Sequence, residues 1–161
     1  MPARRQDSGR EQGFTYLEMV ATAAIVMILA SAIMPMARVS SQRQKEIELR
    51  RHLRELRTAI DRFRKDVESG AIGGSDVKLG SEGCPEDLET LTKGVSWVGH
   101  VDQKRKFLRR IPIDPMTGKA EWGMRCYQDE PDSDSWCGQN VFDVYSKSGA
   151  KALDGTRYKD W

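Results

Sequence analysis

Between Glu18 and Arg38 the chain runs for 19 residues without a formal charge. That is about the length an α-helix needs to cross the hydrocarbon core of a bilayer, roughly 20 residues. A carboxylate stands at the head of this run. A charged side chain at the centre of a membrane helix costs roughly 2.5–3.5 kcal/mol on insertion scales, so Glu18 must be shallow, paired or functional. An ordinary secretory signal has an apolar stretch of only about 7–15 residues. The run here is longer, although Ala30-Ser31-Ala32 imitates a cleavage site. A plain signal anchor would explain the length but not the glutamate.

Beyond the apolar run the chain changes character. From Leu49 to Val67 the apolar residues Leu49, Leu53, Leu56, Ile60, Phe63 and Val67 recur at alternating steps of four and three. That spacing makes one helical stripe, with charged residues on the other faces. No glycine lies between Phe14 and Ser69, and Pro35 is the only proline there. The two segments therefore read as one helix of about 55 residues, on the order of 80 Å long at 1.5 Å per residue. Residues 14–37 form its membrane half and 38–68 its amphipathic half. The stripe is short for a coiled coil, so the chain's own body at 69–161 is the expected partner. Pro35 lacks an amide proton and is expected to kink the helix. Ala21, Thr22, Ala23, Ala24, Ala30, Ser31, Ala32 and Ala37 are small enough to let apolar helices approach closely.

Length and charge narrow the function classes. A chain of 161 residues with a formal net charge of +2 reads as one domain without a strong overall pull on nucleic acid. The one basic patch, "QKRKFLRR" at 103–110, reads mainly as a solvated helix face, although Phe107 among the cations suits phosphate contact and base stacking. No G-x-S-x-G, phosphate-binding loop, H-E-x-x-H or paired-cysteine redox motif is present, so no catalytic residues are assigned and an enzyme is not expected. His52 and His100 stand apart from any zinc-ligand spacing.

The head of the run, "GFTYLE" at Gly13–Glu18, resembles the type III signal of type IV prepilins and type II secretion pseudopilins. The resemblance implies that residues 1–13 are a leader, cut by a prepilin peptidase between Gly13 and Phe14, and that Phe14 is then N-methylated by the same peptidase/methyltransferase. Tyr16 departs from the leucine usual in that family and keeps the position apolar in bulk. After cleavage Glu18 is the fifth residue and Pro35 the twenty-second, and both fit the family pattern. The new ammonium of Phe14 lies four residues from Glu18, a spacing that places both on one helix face. An anion in the first turn is also favoured by the helix dipole. In a filament Glu18 would pair with the amine of a neighbouring subunit, which offsets the cost of burying a lone carboxylate. Glu18 is thus expected to set assembly register. Charge counting disagrees on orientation: Arg38, Arg43, Lys45, Arg50 and Arg51 outnumber Arg4, Arg5 and Arg10, which would keep the body cytoplasmic. The peptidase motif is the more specific signal and puts the body outside.

The C-terminal body carries a second set of signals. Ser69–Gly83 reads as a flexible loop. A short helix is expected over Pro85–Lys93, stopped by Gly94. Strands are expected at Glu121–Gln128 and Val141–Ser148, joined by the polar hairpin loop "DEPDSDSWCG". Asp114-Pro115, Trp122-Gly123, Phe142–Ser146 and the tail "ALDGTRYKDW" resemble the major, G-type pseudopilin of type II secretion. Members of that family commonly bind calcium in the tail loop. Here Asp154 and Asp160, helped by Ser146, are the weak candidates, because hard cations need several oxygen ligands and Ser148, Ala150 and Ala152 stand where acids are wanted. No cofactor is therefore expected with calcium as the exception to test. Three cysteines allow three alternative single bridges. Cys126 and Cys137 flank the expected hairpin loop and are the favoured pair, closing a loop that would stabilise by roughly 3 kcal/mol, with Cys84 left over.

These readings converge on an α+β, pilin-like chain: a long N-terminal helix packed on a small domain with a short antiparallel sheet. The resemblance implies a pseudopilus subunit in the bacterial inner membrane, single-pass, with a periplasmic body. Its partners would be the peptidase, other pseudopilins in a homo-oligomeric filament, the secretion assembly platform and the membrane, but not nucleic acid. A type IV pilus or competence pilin, and an uncleaved membrane-anchored binding module, are the alternatives.

Overall fold

The structure is a computed structural model; it describes residues 13–73, 77 and 80–161, without the side chains of 32–35 and 100–102. The chain is α+β. A long helix α1, Tyr16–Glu68, precedes a short helix α2, Leu88–Lys93, and four strands: β1 Val95–Trp97, β2 His100–Arg105, β3 Trp122–Arg125 and β4 Asp143–Ser146. The strands form two separate antiparallel pairs, β1 with β2 and β3 with β4. A 3-10 turn at Tyr158–Asp160 ends the fold. Two compact units divide between Ser40 and Ser41. The expected leader, residues 1–12, lies outside the described residues, as does the side chain on which the Pro35 kink rests.

The first unit is the N-terminal part of α1. Every described residue from Gly13 to Ser31 is exposed. Phe14, Leu17, Met27 and Ile28 are each at least two-thirds open to the surroundings. By length and composition this stretch is apolar enough to cross a membrane. Its hydroxyls satisfy themselves within the helix: Thr22 Oγ1 donates to the Met19 carbonyl at 3.0 Å and Ser31 Oγ to the Ile28 carbonyl at 2.7 Å. Such back-bonding satisfies these two hydroxyls without water.

The second unit is built around the amphipathic part of α1. Leu49, Leu53, Leu56, Ala59, Ile60 and Phe63 are buried in one core with Leu88, Leu91, Val95, Leu108, Trp122, Val141, Val144 and Tyr158, and Val67 packs at its edge. The stripe thus finds its partner in the chain's own body.

Three elements differ from the sequence reading. Helix α2 starts at Leu88 and not at Pro85, because Asp87 caps it: Asp87 Oδ1 accepts from the Thr90 amide and hydroxyl, both at 2.7 Å. Gly94 ends it as expected, with φ of 82° and no room for a Cβ, which would sit 2.8 Å from the Arg105 carbonyl oxygen. The basic stretch 103–110 is not a helix face. Its first residues complete β2, pairing Arg105 with Val95. Then Phe107 and Leu108 both donate their amides to the Leu91 carbonyl at 3.0 Å. Phe107 stands edge-on to Phe63, ring centroids 5.4 Å apart. The overlooked signal is the turn Trp97-Val98-Gly99-His100, whose glycine has φ of 86°. Finally, β3 and β4 are each shorter than expected, at four residues. The chain between them leaves the ladder at Cys126.

Leu56 is fully buried, whereas Ile47 on the same helix is 64% exposed. Leu56→Ala should therefore destabilise the second unit by about 2–5 kcal/mol, and Ile47→Ala by less than about 0.5 kcal/mol. Denaturant unfolding of the detergent-solubilised chain, followed by tryptophan fluorescence, checks both.

Candidate functional site

The head of α1 is built from the sequence T-x-x-E. Thr15 Oγ1 accepts from the Glu18 amide at 3.3 Å, and the Thr15 carbonyl accepts from the Met19 amide at 3.1 Å. Thr15 is therefore the N-cap and Glu18 the third helical residue, at the T-x-x-E spacing of a capping box, of which the hydroxyl-to-amide half is formed. The carboxylate stands where the partial positive charge of the helix N-terminus favours an anion. Gly13 and Phe14 precede the cap outside the helix, and Phe14 is 76% exposed. The Gly13–Phe14 peptide bond is therefore open to the surroundings. The capping role of Thr15 went unread in the sequence, although the T-x-x-E spacing carries it.

In the body, the residues singled out around Asp114, Trp122-Gly123 and Phe142–Ser146 come together as a lock. Asp114 is fully buried. Its Oδ2 accepts from Ser146 Oγ at 2.6 Å and its Oδ1 from the Met116 amide at 2.8 Å. The turn after Pro115 closes through the Gly118 amide to the Asp114 carbonyl, with Gly118 at φ of 74°. Trp122 Nε1 donates to the Pro112 carbonyl at 2.9 Å. Gly123 faces Tyr145 across the β3–β4 ladder. A Cβ there would lie 2.2 Å from Tyr145 Cζ, so the ring occupies the glycine's missing side chain. Asp143 receives Arg57 of α1 in a fork, Nε to Oδ1 at 2.6 Å and Nη2 to Oδ2 at 3.3 Å. The same guanidinium reaches the main-chain oxygens of Val144 and Trp161. Glu46 of α1 does similar work for the tail, accepting from Tyr158 Oη and the Leu153 amide, both at 2.9 Å. These groups hold sheet and tail on the helix; they do not converge on a reacting atom.

The cysteines and acids divide plainly. Cys126 and Cys137 are joined as a disulfide, with Cα atoms 6.0 Å apart. Cys84 is a buried free thiol, and burial pushes its pKa up, which keeps it protonated and unreactive. Asp154 and Asp160 each engage other groups of the tail and helix. Asp154 Oδ1 accepts from Thr156 Oγ1 at 2.6 Å and the Thr156 amide at 2.9 Å, while Oδ2 lies 3.7 Å from Arg50. The Thr156 hydrogen bonds, with Arg50 adding less, hold this carboxyl below its usual range. Asp160 faces Arg157 at 3.6 Å, and Ser146 is spent on Asp114. Among the described residues one group of three has metal-ligand spacing, Cys126, Asp129 and Cys137. Its sulfurs are in the disulfide, so the thiolates a metal would need are gone. His52, half-buried, directs Nδ1 to the Ile113 carbonyl at 3.0 Å.

The glycine–tyrosine fit is testable by a double-mutant cycle. Gly123→Ala should cost about 1–3 kcal/mol of stability through overpacking. In a Tyr145→Ala background the same substitution should cost less than about 0.5 kcal/mol, because the clashing ring is gone. Equal costs in both backgrounds would refute the fit. Compared with protein-family models, with curated proteins and with solved structures, the chain matches none.

Proposed function

We propose that this chain is a structural subunit of a type II secretion pseudopilus, most like the major, G-type subunit. The observation that carries the reading is the head of α1. A capped helix starts with an exposed carboxylate at its third residue and continues as an apolar surface exposed on every side. Such a surface is stable only inside lipid or among copies of itself. The peptidase removes residues 1–13 and methylates Phe14. The subunit waits in the inner membrane with its body in the periplasm. Glu18 sits shallow there, near its own amine. On assembly the helices pack side by side, and Glu18 pairs with the Phe14 ammonium of a neighbour. A subunit out of register leaves that carboxylate unpaired in apolar surroundings, which costs several kcal/mol. Growth of the filament pushes substrate outward. The body's role is mechanical: Arg57, Glu46 and the Asp114–Ser146 pair tie sheet and tail to the amphipathic helix, so force on one is borne by the other.

Glu18→Ala should leave membrane insertion and the fold intact while lowering the yield of sheared or pelleted filament by at least about tenfold, the scale of a lost charge pair. Export of the host's secreted proteins should fall in parallel. Filament yield and export equal to the parent chain would sink the reading and favour a membrane-anchored binding module.

A further inference from the structure

The two flanks of α1 differ in charge. On one flank a groove of about 520 Å³ is lined by Arg51, Arg54, Arg62 and Arg109, over a floor that includes Ala59, Phe107 and Leu108. Glu55 is the one carboxylate in its lining. The four arginines are exposed, and among the described residues none has a carboxylate partner. Arg43 and Arg110 share this state, but six other arginines of the body do not. Arg50, Arg57, Arg64, Arg105, Arg125 and Arg157 each lie within 3.7 Å of a carboxylate oxygen. Unpaired guanidinium groups crowded around one groove repel each other, and an anion bound among them removes that cost.

The matching anion is on the far flank. From Cys126 to Ser146 the chain has no lysine or arginine, yet Asp129, Glu130, Asp132 and Asp134 fall together. Asp129 accepts from the Cys126 amide and Asp134 pairs with Lys159. Glu130 and Asp132 are exposed and have no cationic partner among the described residues. The loop is held ready by the Cys126–Cys137 disulfide and by Trp136 Nε1 on the Asn140 carbonyl at 2.7 Å. A loop already ordered loses little entropy on docking.

Within one molecule the acidic segment and the groove meet different faces of α1. The segment carrying the acidic loop lies against Arg57, which pairs with Asp143, and against Arg64, which stacks over Tyr127. The groove lies on the side of Arg51 and Arg62, roughly 120–160° round the helix at 100° per residue. Exposed Arg50, Arg54 and Asp61 lie on the arc between them. We propose that the arginine groove of one copy receives the acidic disulfide loop, Glu130 and Asp132 foremost, of a second copy. This contact is head-to-tail, and head-to-tail contacts build open helical filaments or rings. It rests on the filament reading above and gives it a second, charge-based register outside the membrane. A nucleic-acid strand would also suit the arginines but leaves the unpaired acids of the loop unused.

The test uses two full-length chains co-expressed in the native membrane, one with Arg62→Cys and one with Asp132→Cys, followed by mild oxidation. Both positions are exposed, so neither change touches the core, and Cys84 is buried and silent. The mixed pair should give a covalent dimer; neither chain expressed alone should. Adding Glu130→Lys to the Asp132→Cys chain should lower the dimer yield at least about tenfold, and salt should lower it too. The contact is overturned if the mixed dimer forms no better than one between Arg43→Cys and Asp132→Cys chains. It is also overturned if the mixed dimer is absent while the wild-type chain retains a single-stranded oligonucleotide through Arg51 and Arg62. Filaments that persist without the mixed dimer would refute this contact alone; loss of filaments from the unsubstituted chain would refute the filament reading with it.

Discussion

Everything in this molecule depends on how α1 is covered. One helix, Tyr16–Glu68, carries two surfaces that need different surroundings. From Leu49 to Phe63 it presents a narrow stripe, and the body buries that stripe almost completely. Each large side chain so buried is worth about 1.5–3 kcal/mol. From Tyr16 to Ser31 the helix is mostly apolar, and every one of these residues is exposed. That half has to be satisfied by lipid or by other copies. The need for a covering partner is thus written into the helix itself, and under the proposed function a subunit moving from membrane to filament would exchange one cover for the other.

The body's polar residues follow from the same constraint. A small sheet of two short strands cannot hold a long helix by apolar contact alone. Here charged and polar anchors supplement it. Arg57 binds Asp143 and two main-chain oxygens, Glu46 binds the tail, and buried Asp114 ties the turn after Pro115 to Ser146. A carboxylate accepting well-placed donors is far cheaper to bury than a lone one. Gly123 serves the same end by subtraction, since it gives the Tyr145 ring a flat place to lie. The body's conspicuous residues Asp114, Asp143, Arg57 and Glu46 are occupied with holding it together.

Legibility in the sequence tracked the length over which a physical pattern repeats. The long helix and its stripe repeat over many turns, so the periodicity at Leu49, Leu53, Leu56, Ile60 and Phe63 located the core directly. The strands near Trp122 and Val144 were visible from β-branched and aromatic residues, but their ends were set by Cys126 leaving the ladder. The β1–β2 hairpin was not legible in the same way. Its basic residues read as a helix face because the deciding groups are distant: the Leu91 carbonyl that takes two amides and the Phe63 ring that receives Phe107. The arginine groove was invisible for the same reason, since Arg51 and Arg62 meet Arg109 only in three dimensions. At the head of α1 the motif residues were plain, while the hydroxyl cap by Thr15 needed the local geometry.

The account stands on Gly13 and Phe14 being the two sides of a processed bond, so the most direct measurement is the mass of the N-terminal peptide and of the intact chain from its native membrane. The account predicts a chain that starts at Phe14 and carries one added methyl group. A chain that starts at Met1 in its natural host, with no methyl, would contradict it and leave α1 as a simple membrane anchor.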